Sequence, residues 1–329
     1  MKILVTGASG VLGSAVYQAF KTHGHNVTGL ANSRPSEGLT KLNLLDEAET
    51  AAFFKNWKKD SNEPAWVIHC AAERRPDAFT NDANSIATKL NVEVPRNLAS
   101  FSSSLGFTLI YISTDYVFDG LKDNKERTPS GYPTSAKTNP LQAYGVSKRD
   151  GEDKVLAARD NEGAKATVLR VPVLYGPAPE NSDTAVNVLM DYVIDKKSRE
   201  MDDYAARYPT NVVDIARFLV RLSASEKDLP RIIHCSAKER FTKYQMCGVF
   251  ARILRQVPGS ENVSVEHLNP ISAAPTDGVA RPYDSQLDIE ENKDLVGEFK
   301  CSSFEKWCTR HLDHSKKIFV SRPGDYPDV

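Results

Sequence analysis

Tyr144 and Lys148 stand four residues apart in the segment AYGVSK. On a helix that spacing puts both side chains on one face. An ammonium close to a phenol favours the phenolate and lowers its pKa towards working pH. A phenol tuned in this way can give or take the proton at a carbonyl or alcohol oxygen while hydride moves to or from a nicotinamide. The same lysine can hold the hydroxyls of the nicotinamide ribose. Thr114 closes an apolar run, FTLIYIS, and offers a hydroxyl that would complete the set. Y-x-x-x-K is common by chance, so its meaning depends on what the rest of the chain places around it.

The elements that must position these groups begin with MKILVTGASGVLG. Residues 2–6 are a short apolar run. Gly7, Gly10 and Gly13 follow, spaced G-x-x-G-x-x-G, and Val11, Leu12, Ala15, Val16, Ala19 and Phe20 then recur at helical spacing as far as Gly24. The pattern predicts strand, tight turn and helix within one βα unit. Gly7 suits a sharp turn, Gly10 lets the main chain approach a pyrophosphate, and Gly13 lets the helix pack close to the strand. The pyrophosphate would sit on free N–H groups at the positive end of the helix. Dinucleotide binding is the reading this supports, with a glycine-rich turn in some other α/β protein as the alternative.

Composition sets the outer bounds. The chain has 329 residues, with 42 basic and 43 acidic side chains and a net charge of −1. That balance gives no electrostatic case for nucleic acid or an anionic membrane surface. No apolar run approaches a membrane span, and the opening MKILVTG reads as a strand and not as a signal peptide. The cysteines (Cys70, Cys235, Cys247, Cys301 and Cys308) form no C-x-x-C pair, so neither a disulfide framework nor a zinc site is expected. Buried thiols in the reducing cytosol are the reading that follows.

Further along, residues 26–31 read as a second strand. An acidic side chain near its end would mark an NAD site, because it bonds the ribose 2′-hydroxyl. Asn32, Ser33 and Arg34 stand there instead. A guanidinium and a hydroxyl suit a 2′-phosphate, which points to NADP(H), unless Arg34 is an ordinary surface arginine. A third strand is expected over 39–45, with Asn43 and Leu44 at the adenine. A helix over 46–59 and a buried strand over 65–72 follow. His69 within that strand reads as a core histidine. Glu73-Arg74-Arg75-Pro76-Asp77 either faces phosphates or is a solvated loop with local charge pairing. A helix over 83–105, a strand over 107–113, a polar loop over 120–139 and the helix of Tyr144 complete the first half.

Several segments carry a resemblance: the glycine loop, STDYVFDG at 113–120, Y-x-x-x-K and PVLYG at 172–176. Together they resemble the extended short-chain dehydrogenase/reductase superfamily, within it the dTDP-4-dehydrorhamnose reductase branch. HCAAERRPD at 69–77, RYPTNVVDIA at 207–216 and RPYDSQLD at 281–288 are similar to the regulatory β subunits of methionine adenosyltransferase. The resemblance runs from Lys2 to about Leu312. It implies that Ser9, Gly10, Val11 and Leu12 wrap the pyrophosphate and that Ser33 and Arg34 hold the 2′-phosphate. Asn43 and Leu44 would border the adenine, and Ala71 and Arg75 the cofactor. Tyr144, Lys148 and Leu174 would surround the nicotinamide ribose and ring. Thr114 stands where some relatives have serine.

The fold class expected is α/β, a doubly wound parallel sheet with a smaller C-terminal lobe. The NADP-binding domain would cover 1–175, with later returns of the chain to it, the second lobe 176–312, and an extended tail 313–329. In the second half a strand is expected over 165–176, helices over 184–197 and 242–255, and strands over 231–235 and 262–268. Thr242 and Gln245 form a capping-box pattern. In the tail, Ile318, Phe319 and Val320 are an apolar knot among prolines and glycine, with Phe319 as an anchor for a partner. Two functions remain: an NADP-binding subunit that docks on a methionine adenosyltransferase catalytic oligomer, or an NADPH-dependent reductase of a 4-keto sugar nucleotide. The loop at 73–77 favours the first, and an intact Thr114/Tyr144/Lys148 set does not separate them.

Overall fold

The computed structural model describes residues 1–59, 62–75, 78–79, 85–121, 124–274 and 281–327. Pro76 and Asp77 of the ERRPD loop, Ala83 and residues 122–123 therefore lie outside the described residues.

β1 (Lys2–Thr6) leads through the glycine turn into α1 (Val11–Thr22), followed by β2 (Asn26–Ala31) and β3 (Leu39–Lys41). The third strand is shorter than expected. α2 (Glu47–Lys58) starts where the Asp46 carboxylate accepts from Glu49 N, an N-cap that satisfies one free donor. β4 (Ala65–His69) follows. Next come α3 (Ile86–Thr88), a π-helical stretch (Lys89–Glu93) and α4 (Val94–Leu105), which end at Gly106 in the left-handed region. β5 (Thr108–Thr114), α5 (Ala143–Glu162) and β6 (Ala166–Val171) close the first half.

These strands form a seven-stranded sheet in the order β10-β6-β5-β4-β1-β2-β3 (β10 being Ile232–His234), and every pair is parallel. The expected doubly wound parallel sheet is what the chain forms. All residues of β4 and β6 are buried, because helices cover both faces. One face packs α1 against a later helix, the other packs α2, α4 and α5. The chain reverses direction across the sheet between β1 and β4, so a crevice opens at their carboxyl ends.

The second half holds β7 (Leu174–Tyr175), α6 (Val188–Ile194), β8 (Arg199–Asp202), β9 (Thr210–Asn211), α7 (Val212–Ala224), β10 and α8 (Lys243–Leu254). β11 (Leu268–Ile271), α9 (Lys293–Val296), α10 (Phe304–His311), β12 (Leu312–Asp313) and β13 (Ile318–Phe319) complete it. The single strand expected over 165–176 is two. β6 stays in the main sheet, and β7 pairs with β9. Pro172 lies between them and has no N–H to give to a ladder. The strand expected over 262–268 begins only at Leu268 and pairs with β8. α7 was not foreseen. Its polar residues Asp214, Arg217 and Arg221 recur at helical spacing on one strip and apolar residues fill the rest, so a local amphipathic signal marks it, and its apolar face packs against α1. The capping box at Thr242 and Gln245 is present, at 3.1 and 2.9 Å.

The tail contradicts its expectation. Asp313 accepts from Ser315 N and Lys316 N, turning the chain so that β13 pairs antiparallel with β12. Phe319 is 1% exposed and packs on Phe250 and Trp307. His311 Nε2 meets Asp325 Oδ1 at 2.7 Å, with both side chains buried. The apolar knot thus finds its groove in this chain's own second half, between α8 and α10, and Phe319 is not free to anchor a partner.

One buried ion pair fixes α5 to the sheet. Arg170 Nε and Nη2 reach the Glu152 carboxylate at 3.0 and 2.7 Å, with both side chains 3% exposed. Removing one partner leaves an uncompensated buried charge. Glu152→Leu should cost about 3–5 kcal/mol in urea unfolding, and Glu152→Leu with Arg170→Met should recover most of it. A single variant as stable as wild type would show that the pair does not hold the helix.

Candidate functional site

The crevice begins at the glycine turn. Gly7 has φ +64°, the left-handed region, and a Cβ there would lie 2.8 Å from Ala71 N. A Cβ at Gly13 would lie 2.2 Å from Gly7 O, so only glycine lets α1 start so close to β1. Gly10 is the N-cap of α1 and supplies no side-chain cap. The first N–H groups of the helix, at Val11, Leu12 and Gly13, therefore lack a capping side chain and suit an oxyanion. Ser9, Gly10 and Val11 are partly exposed at this turn. The Leu12 side chain is buried in the core, which leaves only its main chain at the crevice.

Beside β2, Ser33 and Arg34 are exposed. Arg34 Nη1 donates to Asp183 Oδ1 at 2.9 Å. Asn43 is exposed and its Oδ1 accepts from Leu45 N at 3.2 Å, while Leu44 is buried. Ala71 packs against the turn at Gly7. The two arginines after β4 differ. Arg75 forks onto the Glu73 carboxylate at 3.0 and 2.7 Å, which holds that acid below its usual range. Arg74 Nη2 donates to Asp183 O at 2.6 Å. Asn91, in the π-helical stretch, clamps this loop: it accepts from Glu73 N, donates to Glu73 O and donates to Ser147 Oγ on α5.

Tyr144 and Lys148 project from α5 on the other side. Thr114 Oγ1 donates to Asp115 Oδ1 at 3.1 Å and accepts from Tyr116 N at 3.2 Å. Ser285 Oγ donates to Asp115 Oδ2 at 2.7 Å. Burial raises the Asp115 carboxyl to about 6. Burial also drives the Tyr144 phenol well above its usual range, and the Asp115 charge adds to this. Arg74 and a hydrogen bond with Thr114 pull it only partly back. Lys148 is not among the largest influences on it, contrary to the expectation from spacing. Its ammonium lies 4.0 Å from the Tyr111 ring centroid, and burial lowers it to about 7. At neutral pH it therefore carries only part of a positive charge. Leu174, on β7, is partly buried. His69 is a core residue: Thr6 Oγ1 lies 2.7 Å from its Nδ1, and burial lowers it to about 3.

Three residues at this site were missed from sequence: Asn91, Asp115 and Asp183. Asp115 follows Thr114 directly, a usable signal. Asn91 and Asp183 act through partners distant in sequence and carry none. Among the described residues no group of acidic, histidine or cysteine side chains is arranged to hold a metal ion, and no helix is long and apolar enough to cross a membrane.

A chain with this sheet, this turn and this helix pair has known relatives. It belongs to the family described as RmlD substrate binding domain, whose family model matches residues 1–316. It is 40% identical over 294 residues to methionine adenosyltransferase 2 subunit beta of Xenopus tropicalis, covering 88% of this chain and 81% of the relative. It is 37% identical to the Bos taurus protein of the same name over 298 residues, covering 89% and 82%. Among solved structures, a dTDP-4-dehydrorhamnose reductase from Clostridium acetobutylicum superposes with a TM-score of 0.74 at 25% identity, covering 95% of this chain and 99% of that one. The Bacillus anthracis reductase, solved in complex with NADP, shares the fold with a TM-score of 0.73 at 23% identity, covering 93% and 96%.

The lowered Lys148 pKa has a consequence for stability. The unfolded chain holds this proton up to about 10.5, and the folded chain loses it near 7. Between those values the unfolded state binds more protons, so this group's contribution to stability rises with pH. Lys148→Met should therefore be more stable than wild type, most of all below pH 7, with the advantage fading towards pH 10.5. Chemical denaturation at about pH 6 and about pH 9 reads the difference. An advantage that does not change with pH would show that Lys148 is not held charged against burial.

Proposed function

We propose that this chain is an NADP(H)-binding regulatory subunit of a methionine adenosyltransferase, docking on the catalytic oligomer and modulating S-adenosylmethionine synthesis. Its identity to proteins named methionine adenosyltransferase 2 subunit beta supports the partner. Cytoplasmic residence is in keeping with its five free thiols. The cofactor lobe would be 1–175 with the returning α7 and β10, and the second lobe would be drawn mainly from 176–312.

The crevice fits a dinucleotide, because its glycine turn admits no Cβ at Gly13 and α1 opens without a capping side chain. The main chain of Ser9, Gly10, Val11 and Leu12 would take the pyrophosphate, with Gly7 and Gly13 shaping the turn. Ser33 and Arg34 would take the 2′-phosphate, Asn43 and Leu44 the adenine, and Ala71 and Arg75 the flank. Tyr144, Lys148 and Leu174 would border the nicotinamide end. When bound, the cofactor would supply a hydride donor or acceptor.

The observation that carries the regulatory reading is the identity of 37–40% over nearly nine-tenths of this chain to proteins named methionine adenosyltransferase 2 subunit beta. The second reading, a reductase of a 4-keto sugar nucleotide, draws on the intact Thr114, Tyr144 and Lys148, which would be its catalytic residues, and on the shared fold. In the test, the tagged chain is mixed with the cognate catalytic methionine adenosyltransferase, and co-elution and the kinetics of S-adenosylmethionine formation are measured. The expected outcome is a complex with altered kinetics that survives Tyr144→Phe. Absence of a complex, or NADPH oxidation by this chain alone with a dTDP-4-keto-6-deoxy sugar, would overturn the proposal.

A further inference from the structure

Arg34 follows β2 and Arg74 follows β4, so they stand on opposite sides of β1 and its glycine turn. Both are tied to one residue from the second half of the chain. Arg34 Nη1 donates to the Asp183 carboxylate at 2.9 Å, and Arg74 Nη2 donates to the Asp183 carbonyl at 2.6 Å. A residue joined to both sides must span the turn between them. Asp183 ends the short 3-10 turn Asn181–Asp183. The other end of that turn is fixed to the second lobe: Asn181 Nδ2 donates to Asp191 Oδ1 on α6 at 2.6 Å and to Lys317 O beside β13 at 2.9 Å. One turn therefore bridges the mouth of the crevice and the second lobe. The Arg34–Asp183 pair is its exposed link, with Arg34 61% exposed and Asp183 14%.

We propose that Asp183 is a specificity-determining residue that competes with the cofactor's 2′-phosphate for Arg34. The inference rests on the cofactor reading above. Carboxylate and phosphate are both oxyanions that fit the guanidinium fork. A dinucleotide with a free 2′-hydroxyl leaves Arg34 on Asp183. A 2′-phosphate brings more negative charge to the same guanidinium, and the repulsion expels the carboxylate. The Arg74 bond to the carbonyl is indifferent to this exchange and keeps the turn attached. Loading with the phosphorylated cofactor thus loosens the turn at its carboxylate, and the change reaches α6 and the β12–β13 hairpin through Asn181.

The test uses the full chain, its Asp183→Asn variant, and calorimetric titrations with NADP⁺ and NAD⁺. The variant keeps the side-chain shape and removes the charge. NADP⁺ should bind it about two- to fivefold more tightly, the scale of an exposed ion pair, with NAD⁺ unchanged. Hydrogen exchange in wild type should rise over 181–184 with NADP⁺ and not with NAD⁺, and this rise should vanish in the variant. Equal weakening of both cofactors in the variant would make Asp183 a plain roof over the site and overturn the inference. So would a wild type that prefers NADP⁺ and a variant that binds it no better. Wild-type protein that binds neither dinucleotide would overturn the cofactor reading and this inference with it.

Discussion

Glu152 lies one helical turn beyond Lys148 on α5, and its carboxylate is gripped by Arg170 of β6 in a buried bidentate pair. That contact decides where the face carrying Tyr144 and Lys148 meets the sheet. It also governs charge. Glu152 acts on Lys148 from a distance, yet its two oxygens are turned to Arg170, and desolvation remains the larger influence on the ammonium. A buried ion pair rarely adds much net stability over an apolar replacement, and its known use is to fix geometry. Here the geometry it fixes is that of the face carrying Tyr144 and Lys148.

Positioning and tuning separate at this site. The hydroxyl, phenol and amine of a hydride-transfer enzyme are all present, on the elements expected to carry them. Their protonation is set by residues outside that trio. Burial raises the phenol, and Asp115, held by Ser285 and accepting from Thr114 Oγ1, adds to this. The Tyr111 ring lies under the Lys148 ammonium, and its own hydroxyl donates to Asn91 O.

How much of this was legible in the sequence follows the range of the interactions. The β1–turn–α1 unit, the α/β class and the capping box of α8 rest on local spacing, and all three are present. The break at Pro172 and the helix α7 also carry local signals, a residue without an N–H and polar residues recurring at helical spacing. The tail depends on a groove made by Phe250 and Trp307, which no pattern near Phe319 encodes. Asp115 meets Ser285 across 170 positions, and Arg34 meets Asp183 across 149. Residue types at Tyr144 and Lys148 could be read directly. Their pKa values could not, because desolvation depends on the finished packing.

With a nicotinamide dinucleotide in the crevice, Tyr144 should stay a neutral phenol. Labelling the tyrosines with ¹³C at Cζ, assigning Tyr144 through Tyr144→Phe, and titrating the NADP⁺ complex by NMR reads its protonation. The expected Tyr144 resonance remains that of the phenol throughout the neutral range and up to at least about pH 10, the ordinary tyrosine value. A phenolate forming near neutral pH in the complex would contradict it, and would mark the site as one built to move protons.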